Sequence, residues 1–271
     1  MDRKARALAL VAALLLTFLR GPASSVVSGQ DPDPLGTGTF SILGYDPSTG
    51  ELGAAVQSRV FSVCNGVLWG EADTGIVATQ AIVDVSYGPK ALALLRAGMT
   101  PDAIVKALID SDPDPGYRGQ PWPKAGRQFA VMDAKGRYAA YTGPEATKWA
   151  GHRSGKFCTA QGNILAGEAV VANMVKNFEE TEGPLSLRLV AALEGGQAGG
   201  GDTRGQQSAA LLIVKKDCGV WLHNDTVLRL QVDDNPEPIK ELRRVVEKAV
   251  ENSTRARRAA PGCEGVNGGP R

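Results

Sequence analysis

The period of the apolar residues switches back and forth along this chain, and it does so in a repeating order. "TFSILGY" (39–45) and "ELGAAVQS" (51–58) read as short strands joined by the Pro/Gly turn "DPSTG". "GVLWG" and "GIVATQAIV" continue the strand pattern. Helical spacing then takes over in "YGPKALALLRAG" and "TPDAIVKALIDSD", the second with Thr100 as N-cap and Pro101 in the first helical position. The scheme repeats. "RQFAVMD", "RYAAYTG" and "KFCTAQGNIL" predict strands, and "GEAVVANMVKNFEETEG" and "PLSLRLVAALEGG" predict helices. "SAALLIVKK", "GVWLHNDT" and "VLRLQVDD" predict further strands, and "PEPIKELRRVVEKAVEN" a closing amphipathic helix. Each block has an apolar face that must be covered. An α+β fold in which two antiparallel sheets pack face to face, with helix pairs outside both, covers all of them. That is a four-layer αββα sandwich; other α+β folds share the periodicity.

Charge and composition remove several functional classes. The net charge of +1 gives no electrostatic case for nucleic acid. Only two histidines occur, His152 and His223, far apart in sequence, so no metal is expected. No HExxH, paired CxxC, Walker loop or GxSxG elbow is present. Arg3, Lys4 and Arg6 precede the apolar run "ALALVAALLLTFL", which is too short to span a bilayer of roughly 30 Å. A secretory signal over 1–25 is expected, followed by a Gly/Pro/Asp/Ser-rich linker or propeptide over 26–38. One domain follows over 39–252, then a flexible tail over 253–271. The expected location is periplasmic or secreted, with no stable membrane insertion after signal cleavage. Export permits disulfides among Cys64, Cys158, Cys218 and Cys263, which allow three full pairings; Cys263, in the Gly/Pro-rich tail, can also stay free.

The stretches "TFSILGYDPSTGELGAAVQSR", "GIVATQA", "YGPKALALLRAG", "YTG…WAGHRSG", "QGNILAG" and "AGGGDTRGQQSAALLIV" occur in the order seen in the DUF1028 family, from Thr39 to Val214. The chain resembles that family, which is in turn similar to the N-terminal nucleophile (Ntn) hydrolases. The resemblance implies the αββα fold with proteasome-like element order, and more weakly amide-bond hydrolysis. Two positions depart from the family pattern. Asp84 stands where an asparagine is expected after the "ATQ" strand, and Thr147 where a cysteine is expected before "WAGH", with Cys158 shortly after. The chain also ends too early for the C-terminal peptidoglycan-binding module of some members.

Gly38-Thr39 is where this chemistry would lie. A β-branched residue commonly opens a strand, and that alone would account for Thr39. A second role needs the Gly38–Thr39 bond cut. A threonine hydroxyl is a weak nucleophile until a base takes its proton, and an N-terminal threonine carries its own base, an α-amine with a pKa of about 7.7–8.0. Glycine before it leaves the bond open to self-cleavage or to trimming. With the resemblance, Thr39 is the expected nucleophile and Ser41 the substitute. Asn163 in "QGN", beside Gly162 and Gln161, is the expected oxyanion donor. Ser58, Arg59, Thr79, Gln80, Asp202 and Arg204 are the expected substrate contacts, with Arg59 suited to a carboxylate and Asp202 or Arg204 to an amine or carboxylate. His152 reads as a hydrogen-bonding residue of a Gly-rich loop, and His223 as structural. The expectation is an exported Ntn-type amidohydrolase acting on a small amide or peptide without metal or organic cofactor. A homodimer is expected by analogy. The alternative is a non-catalytic periplasmic binding or assembly protein on the same fold.

Overall fold

The computed structural model describes residues 38–256 and 258–271; the expected signal and nearly all of the linker lie outside them. Ten strands form two antiparallel sheets. β1 (Thr39–Asp46), β2 (Glu51–Ser58), β7 (Gly151–Gly155), β8 (Cys158–Asn163), β9 (Ser208–Val214) and β10 (Thr226–Val232) make the larger, in the order β10-β9-β2-β1-β8-β7. β3 (Leu68–Glu71), β4 (Gly75–Ala81), β5 (Arg127–Asp133) and β6 (Tyr138–Thr142) make the smaller, in that order. The helices are the short α1 (Cys64–Val67), the pair α2 (Tyr87–Arg96) and α3 (Pro101–Ser111), the pair α4 (Ala169–Glu180) and α5 (Leu185–Ala198), and the closing α6 (Pro238–Thr254). The fold is α+β.

Strand alternation sorts the apolar side chains into three cores. Phe40 and Ile42 of β1 point toward α4, α5 and α6, where they meet Met174, Leu189 and Leu242. Leu43 of β1, Val56 of β2 and Leu212 of β9 point the other way and meet Ile76, Ala78 and Met132 of the smaller sheet. Val77, Phe129 and Val131, on that sheet's far face, pack against Leu92, Leu95, Ile104 and Leu108 of α2 and α3. Pro101 opens α3 after Thr100, whose extended backbone stops any helix from running back; its hydroxyl makes no cap bond.

Three stretches differ from the sequence expectation. "GHRSG" is a strand, β7, rather than a loop; it lies at the sheet edge with its residues exposed or half-buried, so it shows no apolar alternation. "GVWLHNDT" is not a strand up to Thr226. Trp221 and His223 have left-handed φ values of 73° and 59°, which break a ladder, and the Asn224 side-chain amide donates to the Val220 carbonyl at 2.8 Å. Its Val, Trp and Leu mimic a strand in composition but stand exposed on a turn. "CN" joins "GV" in α1, too short for any period to declare it.

The last residues, expected to be a flexible tail, are tied down at two points. Cys263 is bonded to Cys218 in the β9–β10 connection. Asn267 is buried, accepts from the Ser186 hydroxyl at 2.6 Å, and donates its backbone N–H to Glu51 Oε1 at 3.1 Å. Glu51 is itself fully buried at the start of β2, and its Oε2 accepts from the Thr49 hydroxyl at 2.8 Å. Burial is the main cause that pushes its carboxyl up from 4.5 to about 7. A carboxyl whose folded pKa is raised favours the folded state in its protonated form. Its contribution is complete below the unfolded value of 4.5 and is lost as pH rises through about 7. Glutamine has the same shape, can accept from Asn267 and can donate to Thr49. Glu51→Gln is expected to flatten the loss of stability between those pH values, a difference of about 3 kcal/mol at most; urea unfolding of both proteins at pH 5 and pH 8 measures it.

Candidate active site

The space between the sheets changes character along its length. Where β1, β2 and β9 carry Leu43, Ala54, Val56 and Leu212, it is apolar. At the end where β1 starts, β1, β2, β8 and β9 bring polar residues to the same face. Across the larger sheet Asn163 pairs with Thr39, Thr39 with Ser58, and Ser58 with Ser208; one step inward Gln161 pairs with Ser41. Directly paired residues project to one face, so these form two polar rows. The smaller sheet answers with Gln80, Gln128 and Thr142, also paired in register.

These groups are bonded to one another. Gln161 Nε2 donates to Ser41 Oγ and Ser41 Oγ to Gln80 Oε1, both at 2.6 Å. Gln80 Nε2 crosses the gap to the Thr39 carbonyl at 3.2 Å and reaches Gln128 Oε1 at 2.9 Å. Gln128 Nε2 lies 3.0 Å from Thr142 Oγ1, 3.1 Å from the Gly151 carbonyl and 2.9 Å from the Gly162 carbonyl. Ser41, Gln80, Gln128 and Gln161 are all buried. Such a network fixes how the two sheets meet, because each member unpaired in this dry gap would cost more than its bond contributes.

Thr39 and Gly38 sit at the mouth of this polar end. The Thr39 hydroxyl donates to Ser58 Oγ at 3.1 Å, and the Ser58 hydroxyl donates to the Gly38 carbonyl at 2.5 Å. That carbonyl also accepts from Arg204 Nη2 at 2.7 Å. Arg204 is held by Asp202 in a fork, Nε to Oδ1 at 3.1 Å and Nη2 to Oδ2 at 2.8 Å. A buried ion pair costs desolvation unless its remaining donors are used, and Arg204 uses one on Gly38. The backbone N–H of Arg204 also donates to Asp202 Oδ1 at 2.9 Å. Any side chain at 38 would push the Asp202–Arg204 fork aside. A Cβ there would lie 2.7 Å from Asp202 Oδ2 and 2.8 Å from Arg204 Nη2.

A cavity of about 200 Å³ adjoins Thr39 and Gln80. Its other walls are mostly apolar: Val60, Phe61 and Val63 after β2, Gly66 and Val67 of α1, and Val83 after β4.

Thr39, Asn163, Ser58, Gln80, Asp202 and Arg204 thus converge. Thr79 faces the opposite side of β4, where its hydroxyl donates to the Gly66 carbonyl at 2.7 Å and accepts from Trp69 Nε1 at 3.2 Å; it shares only the cavity wall. Arg59 is exposed and lies 3.5 Å from Gln207 Oε1. His152, on edge strand β7, bonds Thr142 Oγ1 through Nδ1 at 2.9 Å. Cys158 is fully buried under the helices, and desolvation pushes its thiol up to about 12, so it carries no thiolate at neutral pH. Among the described residues, no group of three or more His, Cys, Asp or Glu side chains could hold a metal ion. Gln128, Thr142 and Ser208 belong to the polar end but were not singled out in the sequence. The signal that finds them is that each is the polar residue at the same end of its strand.

The family model described as "Family of unknown function (DUF1028)" matches residues 39–242. The chain belongs to the DUF1028 family. Among solved structures it is similar to protein SPO2555 from Silicibacter pomeroyi, which carries the same family model. Identity is 30%, the alignment covers 79% of this chain and 89% of that one, and the TM-score is 0.68. It also aligns with Anbu (ancestral beta-subunit) from Yersinia bercovieri at 11% identity over 82% of this chain and 99% of that one, with a TM-score of 0.33 that carries no weight. No curated protein matches the chain. The matched span of the DUF1028 model runs from Thr39 itself, through the polar rows, into α6.

Gln128→Leu tests the network. It keeps the side-chain volume but withdraws a donor from the Gly151 and Gly162 carbonyls. The expected loss is about 2–4 kcal/mol in urea unfolding, at roughly 1–3 kcal/mol for each buried group left unpaired. A loss under about 0.5 kcal/mol would mean that the sheets do not depend on this bonding.

Proposed function

We propose that this chain is an amidohydrolase of the N-terminal nucleophile type, with Thr39 as nucleophile once the Gly38–Thr39 bond is cut. The observation that carries the reading is the treatment of that one peptide unit. The Gly38 carbonyl is held by two donors, the Ser58 hydroxyl and the Arg204 guanidinium, while the Thr39 hydroxyl is bonded to the same Ser58. Two donors converging on one carbonyl oxygen are the kind of arrangement that an oxyanion hole uses. The succession of three cores, helix on sheet, sheet on sheet and sheet on helix, supports reading the fold as the four-layer αββα sandwich of Ntn hydrolases.

Cutting follows from this arrangement. Thr39 Oγ bonds to the Gly38 carbonyl carbon and the negative charge gathers on the oxygen facing Ser58 and Arg204. The carbon–nitrogen bond breaks, and the proton lost by the threonine hydroxyl ends on the nitrogen, which becomes an amine. Water then hydrolyses the ester, leaving a Gly38 carboxylate and Thr39 with free amine and hydroxyl. The new amine, with a pKa of about 7.7–8.0, is the base that activates Thr39 toward a second amide. Ser58 and Arg204, released from Gly38, are placed for the carbonyl of that amide, and Asn163, paired beside Thr39, is the further donor. The substrate would be a small amide or peptide. We place the protein outside the cytoplasm, on the basic-then-apolar run of its first twenty residues and on a Cys218–Cys263 bridge of the kind that persists in oxidising compartments.

N-terminal sequencing and intact mass of the purified mature protein test this. A chain starting at Thr39 is expected, with Thr39→Ala remaining uncut and inactive. Ser58→Ala, which removes one donor, is expected to slow the cut by roughly 10²-fold, whereas trimming by an outside protease would not respond. A homogeneous chain that begins near Val26 or Gln30 and keeps its function in Thr39→Ala would sink the proposal and leave the binding-protein reading.

A further inference from the structure

We infer that the cavity beside Thr39 selects the acyl group of the substrate, and that this group is apolar, branched aliphatic or phenyl in size. The inference rests on Thr39 acting as the nucleophile. Two polar side chains of the cavity, Thr39 and Gln80, lie where the reacting carbonyl would be, and Ser62 and Thr79 have their hydroxyls engaged with Asp233 and the Gly66 carbonyl. The remaining surface is valine, phenylalanine and glycine, with no charged side chain lining it. A volume near 200 Å³ accommodates about six or seven heavy atoms at roughly 30 Å³ each. That fits a leucine- or phenylalanine-like group, and the wall offers a charged group no ionic partner.

The chemistry assigns the cavity to the acyl side. Acyl transfer by a hydroxyl proceeds in two steps, and the acyl group stays on the nucleophile through both. The leaving amine must depart between them and water must take its place. A pocket that abuts the nucleophile and is walled by apolar side chains serves the group that stays, and the solvent side serves the one that exchanges.

Gly66 gives a way to close the pocket. It lies in α1, its backbone is helical, and a Cβ added there would meet only Val85 Cγ1, at 3.4 Å. A leucine at this position meets no clash at its Cβ and adds bulk to the stretch of wall that Gly66 contributes. Val83, half-buried, gives a milder change, since Val83→Thr keeps the shape and puts a hydroxyl in the wall.

The test is titration of the mature protein with acetamide, succinamic acid and isovaleramide, followed by NMR of the valine methyls. Isovaleramide is expected to bind on the order of 50-fold tighter than acetamide, from three more buried carbons at about four-fold each. It should shift Val63, Val67 and Val83, and both Gly66→Leu and Val83→Thr should erase most of the preference. Equal affinity for acetamide and isovaleramide, tighter binding of succinamic acid, or a preference that both variants leave intact would overturn the inference. Hydrolysis of acetyl- and isovaleryl-p-nitroanilide separates this from the catalytic proposal. Selective binding without turnover in a chain starting at Thr39 would count against the nucleophile alone. Turnover at equal rates for both would count against the pocket alone.

Discussion

Ser58 uses one hydroxyl for two bonds to adjacent residues, giving its proton to the Gly38 carbonyl and accepting that of the Thr39 hydroxyl. Both bonds follow from the β1–β2 pairing that sets Thr39 opposite Ser58, and the pairings of Ser58 with Ser208 and of Thr39 with Asn163 extend the polar row across the sheet. A slip of one residue in any of them would turn a polar row toward the helices and an apolar row toward the polar end. Leu43, Val56 and Leu212, further along the same strands, hold the register by hydrophobic burial against Ile76, Ala78 and Met132. The apolar part of the gap therefore fixes the geometry, and the polar part uses it.

Much of this was legible in the sequence because strand ends announce themselves. "TFS", "QSR", "ATQ" and "QGN" each break an apolar run with polar residues, and in an antiparallel sheet such breaks gather at a common end. The approach of "GGGDTRG" to Gly38 was less accessible. It depends on the turn that follows α5, where Asp202 forms a bridge with Leu165 far away in sequence. Gln128 went unnoticed since one glutamine near the start of a strand is ordinary until its neighbour Gln80 is known. Edge strand β7 lacks alternation altogether, and the exposed Val220, Trp221 and Leu222 imitate a strand by composition alone. Residue type is a poor guide where burial is not at stake.

The site combines two environments that are seldom adjacent. On one side of Thr39 lies a buried lattice of glutamine amides and hydroxyls, with every step bonded to the next. On the other lies an apolar hollow. A carbonyl placed at the junction would find fixed dipoles ahead of it and apolar walls behind, and oriented donors are what stabilise a developing oxyanion. His152 stands at the far end of the lattice, on Thr142, which agrees with a chemistry whose base is the threonine's own amine.

The docked tail has a consequence for handling the protein. Glu51, which receives Asn267, begins β2, and Ser58 ends it, so the two lie about 24 Å apart along one strand at roughly 3.4 Å per residue. A purification tag placed after Arg271 adds its bulk at the Glu51 end and leaves the Ser58 end untouched. Under the proposed mechanism, a tag fused directly before Thr39 would acylate the nitrogen that has to be free, and a preparation made that way would be well folded and inert.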